Sequence, residues 1–278
     1  MEIGKTFADR ITDYYDECYI YYKIFWRSNK NLCLHYGFHD NGQGHDKGLV
    51  RMIEVLADKA QITSREKVLD AGCGVGGSSI WLAQNIGCNV VGIDINHNFV
   101  NIARGEAEKR KLNNLVSFHE MNFCQAAFEE NTFDIVWAVE SSCHAEGKQA
   151  FLMEMSRILK PGGRILVADG FKNQESSELN KDLMGWAVPN IPSVAEFTDY
   201  LTKAGFRHVV CEDISSKVMP SSLRIYRIAW IVYPLIRLLK LLRLKTELSV
   251  NHAQLALKQY SYAIKGPGKY CVFVAEKG

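Results

Sequence analysis

The stretch "VLDAGCGVGG", residues 68–77, sets the reading of everything around it. An apolar run ends on Asp70 and meets glycines at 72, 74, 76 and 77, after which "SSIWLAQNIG" takes up helical spacing. Glycine reaches backbone conformations that other residues avoid, so Gly72, Gly74 and Gly76 let the chain turn tightly and approach a ligand closely. Gly72, Gly74 and Gly77 also fit the dinucleotide fingerprint GxGxxG. Asp70 argues against a dinucleotide, because a carboxylate at the strand end suits an ammonium and sits badly beside a pyrophosphate. The turn also comes late, after residues that read as helical and could cover a second substrate.

Outward from this turn the pattern alternates. "KVLDAG", "NVVGIDI", "VSFHEMNF", "FDIVWAVE" and "RILVADG" read as strands. The helices between them run through "SSIWLAQNIG", "FVNIARGEAEKRKL" and "KQAFLMEMSRIL". Strand–helix alternation predicts an α/β fold, a doubly wound, mostly parallel sheet covered on both faces. Ligands of such sheets bind beyond the carboxyl ends of the strands. Asp70, Asp94, Asn122, Glu140 and Asp169 all fall there. Upstream, residues 5–30 read as helical, 34–48 as loop, and Leu49, Met52, Ile53 and Leu56 as one helix face. Downstream come the helix "SVAEFTDYLTKAGF", capped by Ser193 and stopped by Gly205, the strand "RHVVCEDI", a helical insertion over 220–262, and a last strand, "KYCVFVAEKG". The expected organisation is a helical N-terminal cap over 1–64 and a core over 65–278 that carries the insertion as a lid.

Composition narrows the classes. The 278 residues are 47% apolar, which supports a packed core. A net charge of +2 excludes a strongly basic nucleic-acid binder. "MEIGKTFADR" has no apolar core of a signal peptide, and no apolar run is long enough to span a membrane. The eight cysteines are scattered without a CxxC pair, which argues against zinc and suggests reduced thiols in a cytoplasmic protein. His35, His39 and His45, with Asp40 and Asp46, lie in a loop at irregular spacing, so no metal site is expected.

"VLDAGCGVGG", "VVGIDI", "MNF", "FDIVWAVESSCHA" and "LKPGGRILVAD", in this order, resemble class I S-adenosylmethionine-dependent methyltransferases over roughly residues 65–170. The resemblance implies a Rossmann-like sheet of seven strands with the last antiparallel, and S-adenosyl-L-methionine as cofactor. It implies that Asp70, Gly72, Cys73 and Gly74 hold the methionine part. Asp94, with Ile95 beside it, would take the ribose, and Asn122 and Phe123 the adenine. Many members carry Asp at position 122; the Asn oxygen still accepts from an amine, through a weaker bond. Outside the core, "LHYGF", "ESSCHA" and the insertion are similar to the sterol C-methyltransferase and tocopherol methyltransferase group. "ESS" also resembles C-methyltransferases of prenyl diphosphates.

That subgroup gives Glu140 a task. Methylating an alkene leaves a carbocation, which a nearby carboxylate stabilises before accepting a proton. Glu140 could instead bind the methionine ammonium or cap the next helix. His144 could act as base for a phenol in an O-methylation, or be a plain loop histidine. Tyr22, Trp26, His35 and Tyr36 are the candidates for touching the acceptor. Tyr14, Tyr15, Tyr21, Tyr22 and Trp26 form a stripe that favours packing over cation stabilisation. The acceptor expected is an apolar, isoprenoid-like small molecule methylated on carbon; O- or N-methylation of an aromatic compound is the alternative. In "LRIYRIAWIVYPLIRLLKLLRLKT", residues 223–246, Pro234 should kink or break a helix. Its leucines are expected to roof the acceptor pocket, or else to rest on a membrane surface.

Overall fold

The computed structural model describes residues 5–278, with the side chains of 264 and 265 set aside. The strands are β1 (Lys67–Ala71), β2 (Asn89–Asp94), β3 (Val116–Glu120), β4 (Phe133–Val139), β5 (Leu159–Lys172), β6 (Phe206–Asp213) and β7 (Gly268–Lys277). They form one sheet in the order β3-β2-β1-β4-β5-β7-β6. β1 to β5 pair in parallel, whereas β7 runs antiparallel to both β5 and β6. The fold is the doubly wound seven-stranded sheet expected, with the antiparallel strand last. Helices cover both faces, so the central strands are continuously apolar: Val68, Leu69, Ile135, Val136 and Trp137 are fully buried.

The helices around the sheet are α1 (Phe7–Tyr21), α2 (Ser28–Asn31), α3 (His45–Lys59), α4 (Gly77–Asn85), α5 (His97–Lys109), α6 (Lys148–Ile158), α7 (Ser177–Leu183), α8 (Val194–Lys203), α9 (Ser215–Leu241) and α10 (Glu247–Lys265). Thr6 caps α1 in a reciprocal capping box with Asp9, and a five-residue π-helical turn, Tyr22–Trp26, follows. α3 buries Leu49, Met52, Ile53 and Leu56 as their spacing predicts. It begins at His45, inside the stretch read as loop, because Gly44 in an extended conformation supplies the entry. Ser193 and Glu196 form the capping box of α8, and Gly205 (φ +89°) follows its end.

Two expectations about the insertion need correction. α9 is a continuous helix through both Pro220 and Pro234, so Pro234 does not break it. A proline costs a helix one N–H bond, but Ile225, Ala229 and Ile236 anchor both sides of Pro234 in packed cores. Nor do the leucines of the second half roof the pocket: Leu235, Leu238, Leu241, Leu242 and Leu244 face solvent. The pocket is covered instead by Val218 and Ser222 of α9, and by His252, Leu255, Ala256 and Gln259 of α10. The helical periodicity of α9 turns its first-half apolar positions inward and its later leucines outward.

Candidate functional site

At the carboxyl ends of β1 and β2 the backbone makes a cradle. Gly72, Gly74 and Gly76 all take positive φ (+87°, +55° and +87°). A Cβ on Gly72 would fall 2.4 Å from that of Ser141, and one on Gly77 would fall 2.3 Å from the Leu32 carbonyl oxygen. The Gly74 N–H donates to Asp94 Oδ2 (2.9 Å), and the Asn96 N–H to Asp94 Oδ1 (2.8 Å). The cap of α5 is Asn96, not Asp94. Asp94 therefore braces the turn and still faces the cavity, with burial raising its pKa. Asp70 accepts from the Ser79 hydroxyl (2.6 Å), and burial pushes its carboxyl up to about 7. Asn122 caps the short turn Phe123–Gln125 through its Oδ1, which accepts from the Cys124 N–H (2.8 Å). Phe123 packs edge-on against Phe151.

On the far side of the cradle, Glu140 directly follows β4. Its backbone is left-handed (φ +50°), a conformation that costs a residue with a Cβ of the order of 1 kcal/mol. The Glu140 N–H donates to Ala168 on β5 (2.8 Å), which holds the turn in place. Glu140 Oε1 accepts from the Tyr36 backbone N–H (2.7 Å) and from the Tyr270 hydroxyl (2.8 Å). Burial raises its pKa to about 8, against the pull of these two bonds and with help from the nearby Asp169 charge. Asp169 is saturated by the Ser142 hydroxyl (2.7 Å) and the Cys143 and Gly170 N–H groups (2.8 Å each). It pins the turn that carries His144. His144 Nδ1 donates to the Ala187 carbonyl (2.9 Å), which leaves Nε2 to accept from the Tyr15 hydroxyl (2.9 Å). Burial lowers its pKa, so the ring stays neutral.

One cavity of about 490 Å³ joins these groups. Its wall includes Asp70, Gly72, Cys73, Gly74, Asp94, Ile95, Asn122, Phe123, Glu140, His144, Tyr22, Trp26, His35 and Tyr36. Tyr14 and Tyr15 also face it, so the aromatic stripe is packed core and cavity wall at once; Tyr21 turns away and donates to Ser249 (3.0 Å). His39 bonds Ser221 and Gln43, Asp40 pairs with Arg51, and Asp46 pairs with Arg27, away from the cavity. The groups that sequence reasoning missed come from distant segments. Tyr270 reaches Glu140 across 130 positions, and the Tyr14 hydroxyl bonds His252 Nδ1 (2.9 Å) across 238. Tyr36 and Gln259 meet through a hydrogen bond of 3.1 Å. No local pattern marks such pairs; only the supply of buried polar residues hints at them.

The charge of the wall is one-sided. Asp70, Asp94, Glu140, Glu146 and Asp169 line it, against a single lysine among the described residues, Lys269, which already pairs with Asp213 (3.2 Å). Such a site suits a ligand with cationic groups and hydroxyls, and resists a pyrophosphate.

Comparison with known proteins agrees with this geometry. A family model described as a methyltransferase domain matches residues 69–167. The chain is 30% identical over 227 residues to a sterol 24-C-methyltransferase of Kluyveromyces lactis, covering 76% of this chain and 61% of that protein. It is 28% identical over 234 residues to the chloroplastic tocopherol O-methyltransferase of Arabidopsis thaliana, covering 76% and 66%. The chain thus spans about 60% of the length of its sterol methyltransferase relative. Among solved structures, the geranyl diphosphate C-methyltransferase of Streptomyces coelicolor A3(2) superposes with a TM-score of 0.77 at 17% identity, over 99% of both chains. Strand order, glycine turn and matched segment together make this chain a Rossmann-like methyltransferase fold, with a methyltransferase domain homologous to that of the sterol 24-C-methyltransferases.

Proposed function

We propose that the protein transfers a methyl group from S-adenosyl-L-methionine to a carbon of an uncharged, apolar, isoprenoid-like small molecule. The cradle fits that donor: its carboxylates match a cationic amino acid and a ribose, and its glycines leave no side chain in the way. Asp70 and the Gly72–Gly74 backbone hold the methionine part, Asp94 with Ile95 the ribose, and Asn122 and Phe123 the adenine. When bound, the donor supplies an electrophilic methyl group.

The observation that carries the carbon reading is Glu140. A carboxylate is held in a left-handed turn, buried, with two donors on one oxygen, in the same cavity as the cradle. An alkene that takes a methyl group becomes a carbocation. Glu140 stabilises that charge and then removes a proton, which restores the double bond at its new position. A pKa of about 8 keeps Glu140 protonated in the empty site at neutral pH; an incoming cation favours the carboxylate and readies the base. Tyr22, Trp26, His35 and Tyr36 enclose the acceptor and exclude water. The relatives named for sterol and tocopherol substrates support an apolar acceptor. The one-sided charge of the wall favours an uncharged acceptor over a diphosphate.

O-methylation of a phenol is the second reading, supported by the neutral His144 at the wall and by the tocopherol relative. Incubation with methyl-labelled donor and a panel of sterols, prenyl alcohols, prenyl diphosphates and phenols tests both. A labelled product with a new carbon–carbon bond, lost in Glu140→Gln, supports the first. A methyl ether whose formation ignores Glu140→Gln and needs His144 supports the second. Failure of S-adenosylhomocysteine to raise the melting temperature overturns the donor assignment.

A further inference from the structure

The outward face of α9 is apolar and uncovered. Trp230, Ile231, Leu235, Leu238, Leu241 and Leu242 are each more than half exposed, Leu241 at 79%. Their spacing of three and four residues gathers them into one stripe with Pro234. The opposite side of the same helix, Ile225, Ala229 and Ile236, is already packed. α9 is thus apolar on two faces, of which the protein buries one. A contiguous exposed patch of this kind marks an interaction surface.

The charge around the stripe says what covers it. Between Asp213 and Glu247 the sequence contains no acidic residue, but it holds Lys217, Arg224, Arg227, Arg237, Lys240, Arg243 and Lys245. Lys240 pairs with Glu247, and Lys245 lies over the Tyr21 ring. Arg227, Arg237 and Arg243 are exposed, and among the described residues none has an ion-pair partner; Arg237 lies over the Tyr233 ring with its charge uncompensated. A second copy of the chain would bring these unpaired guanidinium groups face to face. An anionic bilayer meets both halves of the pattern. Trp230 and the leucines enter the headgroup boundary, while the guanidinium groups bind phosphates and carboxylates.

We propose that α9 docks this face on an anionic lipid surface. No described helix is long and apolar enough to cross a membrane, so the contact is peripheral. On the inner side of the docking turns, Val232, Tyr233 and Ile236 share one apolar cluster with Phe7 and Ile11, which line the cavity. Docking therefore holds the cavity wall against the bilayer, where an apolar acceptor dissolves. That last link rests on the acceptor proposed above; the docking does not.

The test is sedimentation of the full chain with vesicles of equal parts phosphatidylserine and phosphatidylcholine, or of phosphatidylcholine alone. It needs neither donor nor acceptor, so its outcome is separate from that of the methyl-transfer assay. The expected result is binding to the mixed vesicles, about tenfold weaker binding to phosphatidylcholine, and release by salt. The triple variant Trp230→Ser, Leu238→Ser, Leu241→Ser is expected to lose about tenfold or more in binding, with an unchanged melting temperature because all three side chains are exposed. The pair Arg237→Glu, Arg243→Glu is expected to lose as much and to flatten the salt dependence. Absence of binding by the wild-type chain overturns the proposal. Binding that survives the triple variant overturns it too, since the contact then lies elsewhere or stops at electrostatics. A lipid-free dimer that the triple variant disperses assigns the face to a second copy instead.

Discussion

The cradle at β1 and β2 and the roof made by α9 and α10 are built in different ways. In the cradle, partners are close in sequence: Gly74 bonds Asp94 twenty positions away, and Asp70 bonds Ser79 nine away. In the roof, partners are remote: Tyr14 meets His252, Tyr21 meets Ser249, and Tyr36 meets Gln259, each across more than 220 positions. The cradle is a local backbone device with little freedom to vary. The roof is an assembly of side chains from two ends of the chain, so its shape can change without disturbing the donor site. The contrast fits a donor common to many proteins and an acceptor particular to this one.

The largest effect is expected where the cradle has no slack. Gly72→Ala places a Cβ against Ser141 in a left-handed turn, and should abolish detectable S-adenosylhomocysteine binding in calorimetry while lowering stability by roughly 2–4 kcal/mol. If Gly72→Ala binds the ligand normally, the cradle is not the rigid member of the pair.

Glu140 sits where cradle and roof meet. Glu140→Gln should cut turnover by roughly 10²–10⁴-fold with donor affinity changed only a few-fold. It should also stabilise the unliganded protein at alkaline pH. The Glu140 pKa is raised to about 8 on folding, so the folded state holds the proton longer, and wild-type stability falls as pH rises from about 4.5 through 8. The Gln variant escapes that loss, by roughly 1–3 kcal/mol in thermal denaturation at pH 9.

Tyr270→Phe removes one donor that favours the Glu140 carboxylate. The pH profile of kcat/KM should then shift to higher pH by roughly 0.5–1 unit, with donor affinity intact. An unmoved profile would remove Glu140 as the titrating base. The smallest change belongs to the roof. Burial holds His252 at a pKa of about 4, so the folded state takes up fewer protons than the unfolded chain. Its contribution is present above the unfolded value of about 6.5 and is lost as pH falls from there through 4. Hydrogen-exchange protection factors in α10, with the intrinsic pH dependence of exchange divided out, should fall over that window, and less so in His252→Gln.

The cradle was legible because its signals are contiguous: a strand, an acid, glycines and a helix, then a second strand ending in an acid. Sheet order followed from the alternation together with the family resemblance. The acceptor wall was legible only as a set of residue types. Tyr22, Trp26, His35 and Tyr36 were readable as aromatic or polar residues near a loop, but the pairing of Tyr22 with Tyr14 and of Tyr36 with Gln259 and Tyr270 was not. The leucines of α9 were misread because composition cannot say which of two apolar helix faces is packed.

Residues 65–170 thus announced their strands, helices and glycine turn by themselves, since backbone turns and strand periodicity are encoded over a few neighbouring positions. The tyrosine pair that surrounds Glu140, the neutral state of His144 and His252, and the outward stripe of α9 came from contacts between segments more than a hundred residues apart. Burial and hydrogen-bond pairing belong to the folded chain as a whole, and no local stretch of residues carries that information.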